Sequence, residues 1–329
     1  MLTPKFIDHT TAPQAGAGTA HDTVSCTLTK GLLALQASIE PKYFYNSLGS
    51  KLFESITLLD EYYPTRTETC IFNANYSNIT EASQQAGISN ACLIDLGAGN
   101  CAKSAALIPH LQPQQYVPID ISVDFLREAA GAVQMSFPAL DIIGVGMDFS
   151  STLVLPDAVQ SNDRVFFYPG SSLGNFSPPD ALRFLQQISN PTHGNASGLL
   201  LGIDLVKDPA VLEAAYDDAP GVTAAFNKNV LNNINDLLGT DFNLRQWRHI
   251  ALFNLQESRI EMHLEAVAKT TVGWANHQRT FEQGERIHTE NSYKYTLPGM
   301  TELLKQAGFS HVQHWTDAQG WFGVFWASR

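Results

Sequence analysis

The sequence predicts an α/β fold: a parallel sheet covered by helices and ended by a β-hairpin, with a second, α+β unit attached. Three observations predict it. The apolar run Leu93-Ile94-Asp95-Leu96 enters a glycine turn, Gly97-Ala98-Gly99, and a helix-like pattern (Ala105, Ala106, Leu107, Leu111) follows. A βα unit of this kind brings bare backbone amides and a helix N-terminus up to a ligand. From there to Asp204, strand and helix signals alternate as they do in parallel sheets. Beyond Asp204 the alternation stops, and it resumes only near the C-terminus.

Each element has its own local reason. Residues 1–25 are rich in Thr, Ala, Gly and His and lack an apolar stretch flanked by basic residues. They read as a flexible N-terminus and not as a signal peptide. After the glycine turn, the run Tyr116-Val117-Pro118-Ile119 is a second strand, and helical periodicity covers 123–135. Strand-like runs follow at 141–145, leading to Met147-Asp148-Phe149, and at 164–168, ending in Pro169-Gly170. Pro178 and Pro179 occupy helix-starting positions, and the apolar strand 198–203 comes next. Helical stretches at 209–216 and 222–238 precede charge-alternating strands at 259–264 and 269–272. A helix at 300–306 then leads to two strands, 311–315 and 322–326, joined as a hairpin.

Bulk composition excludes several classes. A chain of 329 residues that is 44% hydrophobic can bury a full core. Its formal charge of −12 and the absence of any Lys/Arg block argue against a nucleic-acid surface. Cys26, Cys70, Cys92 and Cys101 show no paired spacing, so neither a metal site nor a disulfide framework is expected. Cys92 and Cys101 read as small apolar groups beside the first core strand. The longest apolar segment, around Leu199, is far too short to span a membrane, and a cytoplasmic protein is expected.

The glycine turn admits three readings. Gly97-x-Gly99-x-x-Ala102 satisfies the loose dinucleotide fingerprint, which suggests NAD. The same strand–loop–strand arrangement serves S-adenosylmethionine (SAM), and a tight turn that binds nothing is the third. Asp120 lies 21 positions beyond Gly99, where nucleotide folds place the acid that accepts ribose hydroxyls. The terminal hairpin tilts the choice toward SAM.

Other candidates are ambiguous singly. Asp148 could accept adenine amino hydrogens beside Phe149, or cap a helix. Lys103 could neutralise a carboxylate, or be a solvated surface lysine. Asn175, in Gly170-Ser171-Ser172-Leu173-Gly174-Asn175, offers donor and acceptor atoms, or is turn chemistry. Tyr62 and Tyr216 are pocket phenols or packing residues.

Together these stretches form one ordered series. Tyr43-Phe44-Tyr45-Asn46-x-x-Gly49-Ser50-x-Leu52-Phe53, Glu61-Tyr62-Tyr63-Pro64-Thr65-Arg66-Thr67-Glu68 and Gly170-Ser171-x-x-Gly174-Asn175 come first. Asp204-Leu205-Val206-Lys207-Asp208, Ala215-Tyr216-Asp217-Asp218-x-x-Gly221-Val222-Thr223-Ala224-Ala225-Phe226-Asn227, Arg259-Ile260-Glu261-Met262 and Thr289-Glu290-x-Ser292-x-Lys294 follow. From about residue 31 to the C-terminus the chain resembles the SAM-dependent histidine Nα-methyltransferases of ergothioneine biosynthesis, which form hercynine.

The resemblance implies a Rossmann-like methyltransferase core at 63–204 and 295–329, and a substrate-binding domain at 26–62 and 205–294. By motif, Gly97, Lys103, Asp120, Asp148 and Phe149 would bind SAM. Tyr62, Asn175 and Tyr216 would hold the substrate's amine and carboxylate, and Met262, Glu290 and Ser292 would surround its imidazole. Asn291 stands where the family can have an apolar residue. The implied partners are L-histidine and a sulfur-inserting enzyme downstream in the same pathway; the implied metal requirement is none.

The implied chemistry is an in-line displacement at the SAM methyl, repeated three times, with S-adenosylhomocysteine released each time. Holding nitrogen, carbon and sulfur in line within ~3–3.5 Å can contribute on the order of 7–11 kcal/mol. Tyr45, Tyr62 or a water would relay the amine proton. Rival readings are an Nα-methyltransferase for a different amino acid or a histidine derivative, an NAD-dependent oxidoreductase, and a non-catalytic SAM- or histidine-binding module. No hydride-site His/Arg constellation supports the second.

Overall fold

The computed structural model describes residues 2–9, 20–150, 152–190 and 197–329. The chain begins with β1 (Lys5–Asp8), α1 (Ala20–Leu33), α2 (Ser47–Ile56) and α3 (Tyr63–Gln85). Then come β2 (Cys92–Leu96), α4 (Ala102–Leu111), β3 (Gln115–Asp120), α5 (Val123–Ser136) and β4 (Asp141–Gly146). β5 (Arg164–Tyr168), α6 (Pro178–Ile188) and β6 (Ser197–Asp204) follow, then α7 (Pro209–Tyr216) and α8 (Val222–Leu238). Next are β7 (Trp247–Asn254), β8 (Arg259–Ala266), β9 (Thr270–Trp274), β10 (His277–Phe281) and β11 (Arg286–Tyr293). The chain ends with α9 (Leu297–Gln306), β12 (His311–Thr316) and β13 (Phe322–Ser328).

The chain divides into two units, one of residues 1–10, 64–206 and 293–329, the other of 11–63 and 207–292. In the first, eight strands form one sheet in the order β1-β4-β3-β2-β5-β6-β13-β12. β1, β4, β3, β2, β5 and β6 pair in parallel; β13 runs antiparallel to both β6 and β12. Strand order reverses at β2, whose neighbours are β3 and β5, so the glycine turn leaves the sheet at the switch point where open α/β sheets bind ligands.

Alternation along the strands splits the core between two faces. Ile94, Val117, Phe166 and Leu199 pack with Phe184 of α6 and Leu304 of α9 on one face. Leu93, Tyr116, Val165 and Leu200 pack with Ile71 of α3, Leu107 of α4 and Leu126 of α5 on the other. This double coverage is why β2, β5 and β6 are buried at every position.

The N-terminal expectation is corrected. Lys5–Asp8 is an edge strand on β4, and a helix already runs from Ala20; residues 10–19 lie outside the described ones. Gly144 makes room for the edge strand, because a Cβ there would sit 2.4 Å from Phe6 Cε1.

Where the chain leaves the sheet after β6 and returns before α9, its two ends are tied. Leu205 bridges Tyr295, and the Val206 N–H donates to the Tyr295 carbonyl at 3.0 Å. The fully buried Lys294 ammonium pairs with the Asp204 carboxylate at 2.8 Å.

The second unit sets α1, α2, α7 and α8 with a three-stranded sheet, β11-β8-β7, and the hairpin β9-β10. Its Tyr43–Gly49 motif is a helix start. Asn46 Oδ1 accepts from the Gly49 N–H at 2.8 Å and from Asn229 Nδ2 at 2.9 Å. At Gly49 a Cβ would lie 1.7 Å from the Phe44 carbonyl oxygen, which requires glycine.

Candidate active site

β2 ends in backbone that favours glycine: φ is +71° at Gly97 and +52° at Gly99. The loop's amides are spent within the chain. Gly97 and Ala98 N–H donate to the Ile119 carbonyl at 2.9 and 3.0 Å, and Gly99 N–H to Asp120 Oδ2 at 3.0 Å. Cys101 N–H donates to the Ala98 carbonyl at 2.8 Å and Ala102 N–H to Asn100 Oδ1 at 3.1 Å. A diphosphate needs such donors free. Amides committed to internal acceptors disfavour a dinucleotide and leave room for a cofactor gripped by carboxylates.

Asp120 is that kind of group. Besides Gly99 it accepts from the Ser122 N–H at 2.9 Å. Its side chain is partly exposed at the end of β3, with acceptor capacity left for ribose hydroxyls. Burial pushes its carboxyl above the usual range, while the Ser122, Gly99 and Ile121 N–H groups pull it back.

The adjacent strand end is tied on by the Met147 N–H donating to the Asp120 carbonyl at 3.1 Å. Asp148 there caps no helix. It accepts from the backbone and hydroxyl of Ser150, an Asx turn. The Phe149 ring stands 3.9 Å from where a Gly97 Cβ would be, and meets Tyr168 edge-on at 5.9 Å. Glycine loop, Asp120, Asp148 and Phe149 thus share one sheet edge.

Lys103 is neither a solvated surface lysine nor a lone cation. Its ammonium pairs with Glu68, a carboxylate with 0% exposure on α3. Glu68 also accepts from the Gly170 N–H at 2.8 Å. One buried anion therefore fixes both the lysine and the loop after β5, and Gly202 leaves its space: a Cβ there would lie 1.8 Å from Glu68 Oε1.

That loop is strained, with φ +78° at Gly170 and +63° at Ser171. Ser171 Oγ accepts from the Asp204 N–H at 2.9 Å, and the turn Ser172–Asn175 ends in half-buried Asn175.

The remaining predicted residues belong to the second unit. Tyr45 and Tyr62 flank Phe53, with ring centroids 5.9 and 6.3 Å from it. Phe226 joins at 5.8 Å from Tyr45 and 6.0 Å from Phe53. Tyr62 meets Tyr216 at 6.3 Å, and the Tyr216 hydroxyl donates to Ser292 Oγ at 2.8 Å. Glu290, 8% exposed, shares a face of β11 with Ser292 by the two-residue strand period. Met262 on β8 is buried, and its carbonyl accepts from the Thr289 hydroxyl of β11 at 3.0 Å. Asn291 makes its own contact, accepting on Oδ1 from His288 Nε2 at 2.9 Å.

Reading the sequence missed Glu68, Phe53 and Phe226 as members of these groups. All three sit inside quoted motifs, so the signal lay in motif membership. Among the described residues, no group of three His, Cys, Asp or Glu side chains could hold a metal ion.

Residues 24–329 match the family described as "Histidine-specific methyltransferase, SAM-dependent". The histidine N-alpha-methyltransferase of Mycolicibacterium smegmatis is 37% identical over 320 residues, 95% of this chain and 97% of that protein. Its namesake in Mycobacterium tuberculosis is 35% identical over 324 residues, 97% and 98% of the two chains. Ergothioneine biosynthesis protein 1 of Neurospora crassa is 30% identical over 285 residues, which cover 83% of this chain and 31% of that protein.

Proposed function

The chain belongs to the SAM-dependent, histidine-specific methyltransferases, and from that premise we propose that it methylates the α-amino nitrogen of L-histidine three times, giving hercynine for ergothioneine biosynthesis. The mycobacterial relatives carry the matching activity in their names, and the Neurospora relative the pathway. The reading is supported in particular by one observation: the buried Glu290 carboxylate shares a strand face with Ser292, which the Tyr216 hydroxyl holds at 2.8 Å. A carboxylate and a hydroxyl on one strand suit an imidazole, and Tyr216 suits the other end of the same amino acid.

SAM supplies an electrophilic methyl on a sulfonium; each transfer forms an N–C bond, breaks an S–C bond and releases S-adenosylhomocysteine and one proton. The chain's own residues do the rest. Gly97, Asp120, Asp148 and Phe149 would hold the adenosine end, and Lys103, kept in place by Glu68, would neutralise the donor's carboxylate. Tyr62, Asn175 and Tyr216 hold the substrate's amine and carboxylate. Met262, Glu290 and Ser292 hold the imidazole, and Glu290 sets selectivity by accepting from an imidazole N–H that an apolar side chain lacks.

Tyr45 and Tyr62 relay the amine proton. Their rings, with Phe53 and Phe226, offer π faces to the growing cationic nitrogen, worth about 0.5–2 kcal/mol. The product then passes to a sulfur-inserting enzyme. The four cysteines are free thiols, in keeping with a reducing cytoplasm.

Incubation with L-histidine and SAM, followed by tandem mass spectrometry, tests this. Mono-, di- and trimethylated products with every methyl on the α-nitrogen are expected. Methylation of the imidazole, or no product, would overturn it.

A further inference from the structure

We infer that His249, Asn227 and Thr289 are positioning residues: a closed ring of hydrogen bonds, buried at Asn227 and Thr289 and half-buried at His249, that sets Tyr216 against the Glu290-bearing strand. The inference rests on the reading above, in which Tyr216 and Glu290 grip opposite ends of one substrate.

The ring can be followed atom by atom. Tyr216, the last residue of α7, is held twice. Its hydroxyl donates to Ser292 Oγ of β11 at 2.8 Å, and its carbonyl lies 2.8 Å from His249 Nε2 of β7. His249 Nδ1 is 2.8 Å from Nδ2 of Asn227, a side chain of α8 with 0% exposure. Asn227 Nδ2 also donates to the His263 carbonyl of β8 at 3.0 Å, and its Oδ1 accepts from the Thr289 hydroxyl of β11 at 2.8 Å. Thr289 and Ser292 bracket Glu290 on one strand, so the circuit closes around that residue.

Donor and acceptor rules leave one arrangement. The Tyr216 and His263 carbonyls only accept. Asn227 must therefore turn its amide nitrogen toward His263, which directs its second hydrogen at His249 Nδ1. That nitrogen must accept, so the proton of His249 sits on Nε2 and donates to Tyr216. An imidazolium would set Nδ1–H against the Asn227 N–H, donor against donor, and open the ring between His249 and Asn227.

The surroundings favour the same state. Burial lowers the basicity of His249 below the usual histidine range; the Tyr216 carbonyl and the Asp217 and Asp218 carboxylates raise it, and Lys228 lowers it again. A lost link in a largely buried ring leaves its neighbours less satisfied, so the cost of breaking one bond is felt beyond it.

The test compares His249→Phe, which keeps a ring and removes both nitrogens, with His249→Gln, which keeps one donor and one acceptor. His249→Phe should raise the KM for L-histidine at least tenfold, with kcat within about threefold and the SAM dissociation constant by calorimetry within twofold. His249→Gln should return KM to within about threefold of the parent. Equal losses in both variants, a matching loss of SAM affinity, or an unchanged KM in His249→Phe would each overturn the inference. Should His249→Phe fail to fold, 15N spectroscopy of the unaltered protein decides. Nδ1 in the unprotonated range and Nε2 in the protonated range at pH 7 support the ring, and the opposite tautomer ends it. That readout needs no turnover, so it separates failure of the ring from failure of the histidine reading.

Discussion

The phenol of Tyr216 donates to Ser292 Oγ at 2.8 Å across 76 positions of chain, and both side chains are buried. Tyr216→Phe removes this bond and keeps the ring against Tyr62. A buried hydrogen bond of this kind is worth about 0.5–1.5 kcal/mol net, more when a partner is left unpaired. The histidine KM should rise roughly three- to thirtyfold, with SAM affinity unchanged by calorimetry. An unaltered KM would show that the bond is incidental.

Glu290→Ala should lower histidine turnover far more than SAM binding, and Asp120→Ala should do the reverse. Asp120 also restrains the glycine loop through Gly99 and Ser122, so its removal costs the donor a carboxylate and a settled loop together. Paired titrations of each variant with both ligands check this. Equal losses of the two affinities in Glu290→Ala would remove it from the imidazole role.

Glu68→Gln keeps an acceptor for the Gly170 N–H and cancels the charge that holds Lys103. Charge-assisted hydrogen bonds contribute about 1.5–3 kcal/mol. SAM affinity should fall about tenfold or more, while the partly exposed lysine finds water and thermal stability changes little. A variant that binds SAM like the parent would leave Lys103 without need of its anchor.

Lys294→Met should be the most destabilising of these changes. Breaking this buried pair from one side, with the Asp204 side chain 1% exposed, costs about 3–5 kcal/mol. Denaturant unfolding measures this, and a loss under about 1 kcal/mol would mean that the pair behaves as a surface bridge.

Asp95 gives a pH signature. Burial beneath the glycine loop pushes its carboxyl up to about 6, against hydrogen bonds from Ser104 and Tyr116 that lower it; the Tyr116 hydroxyl donates to it at 2.8 Å. The folded protein therefore holds a proton that the unfolded chain has released. Its contribution is fully present below about pH 4 and is lost as pH rises through about 6, a fall on the order of 2–3 kcal/mol. Asp95→Asn should lack that fall, so its stability relative to the parent should improve from pH 4 to pH 7. Parallel stability curves would refute the assignment.

How much of this was legible in the sequence depended on the range of the interaction. The glycine loop, Asp120 and the terminal hairpin are local patterns, and their periodicities point to the elements that form. Long-range motifs carried Tyr216, Glu290 and Ser292, which no periodicity singles out. The edge strand Lys5–Asp8 escaped because four residues, two exposed and two half-buried, carry too little pattern. Helix α3 is rich in Thr, Asn and Ser, which favour caps and turns over helix interiors, so its apolar stripe at Ile71, Phe72 and Ile79 is hard to see. The grip of Glu68 on Lys103 joins residues 35 positions apart, and only the packing of α3 against α4 creates it.

The strap at Asp204, Leu205, Lys294 and Tyr295 has an evolutionary corollary. To the sheet, the long excursion 207–292 is equivalent to a tight turn, because its two ends are already closed on each other and its length costs the core little entropy. Residues inside the excursion can then drift without disturbing the register of β6 or α9. Under the proposed roles, a lineage can change the residues set against the imidazole while the glycine loop and its sheet stay as they are.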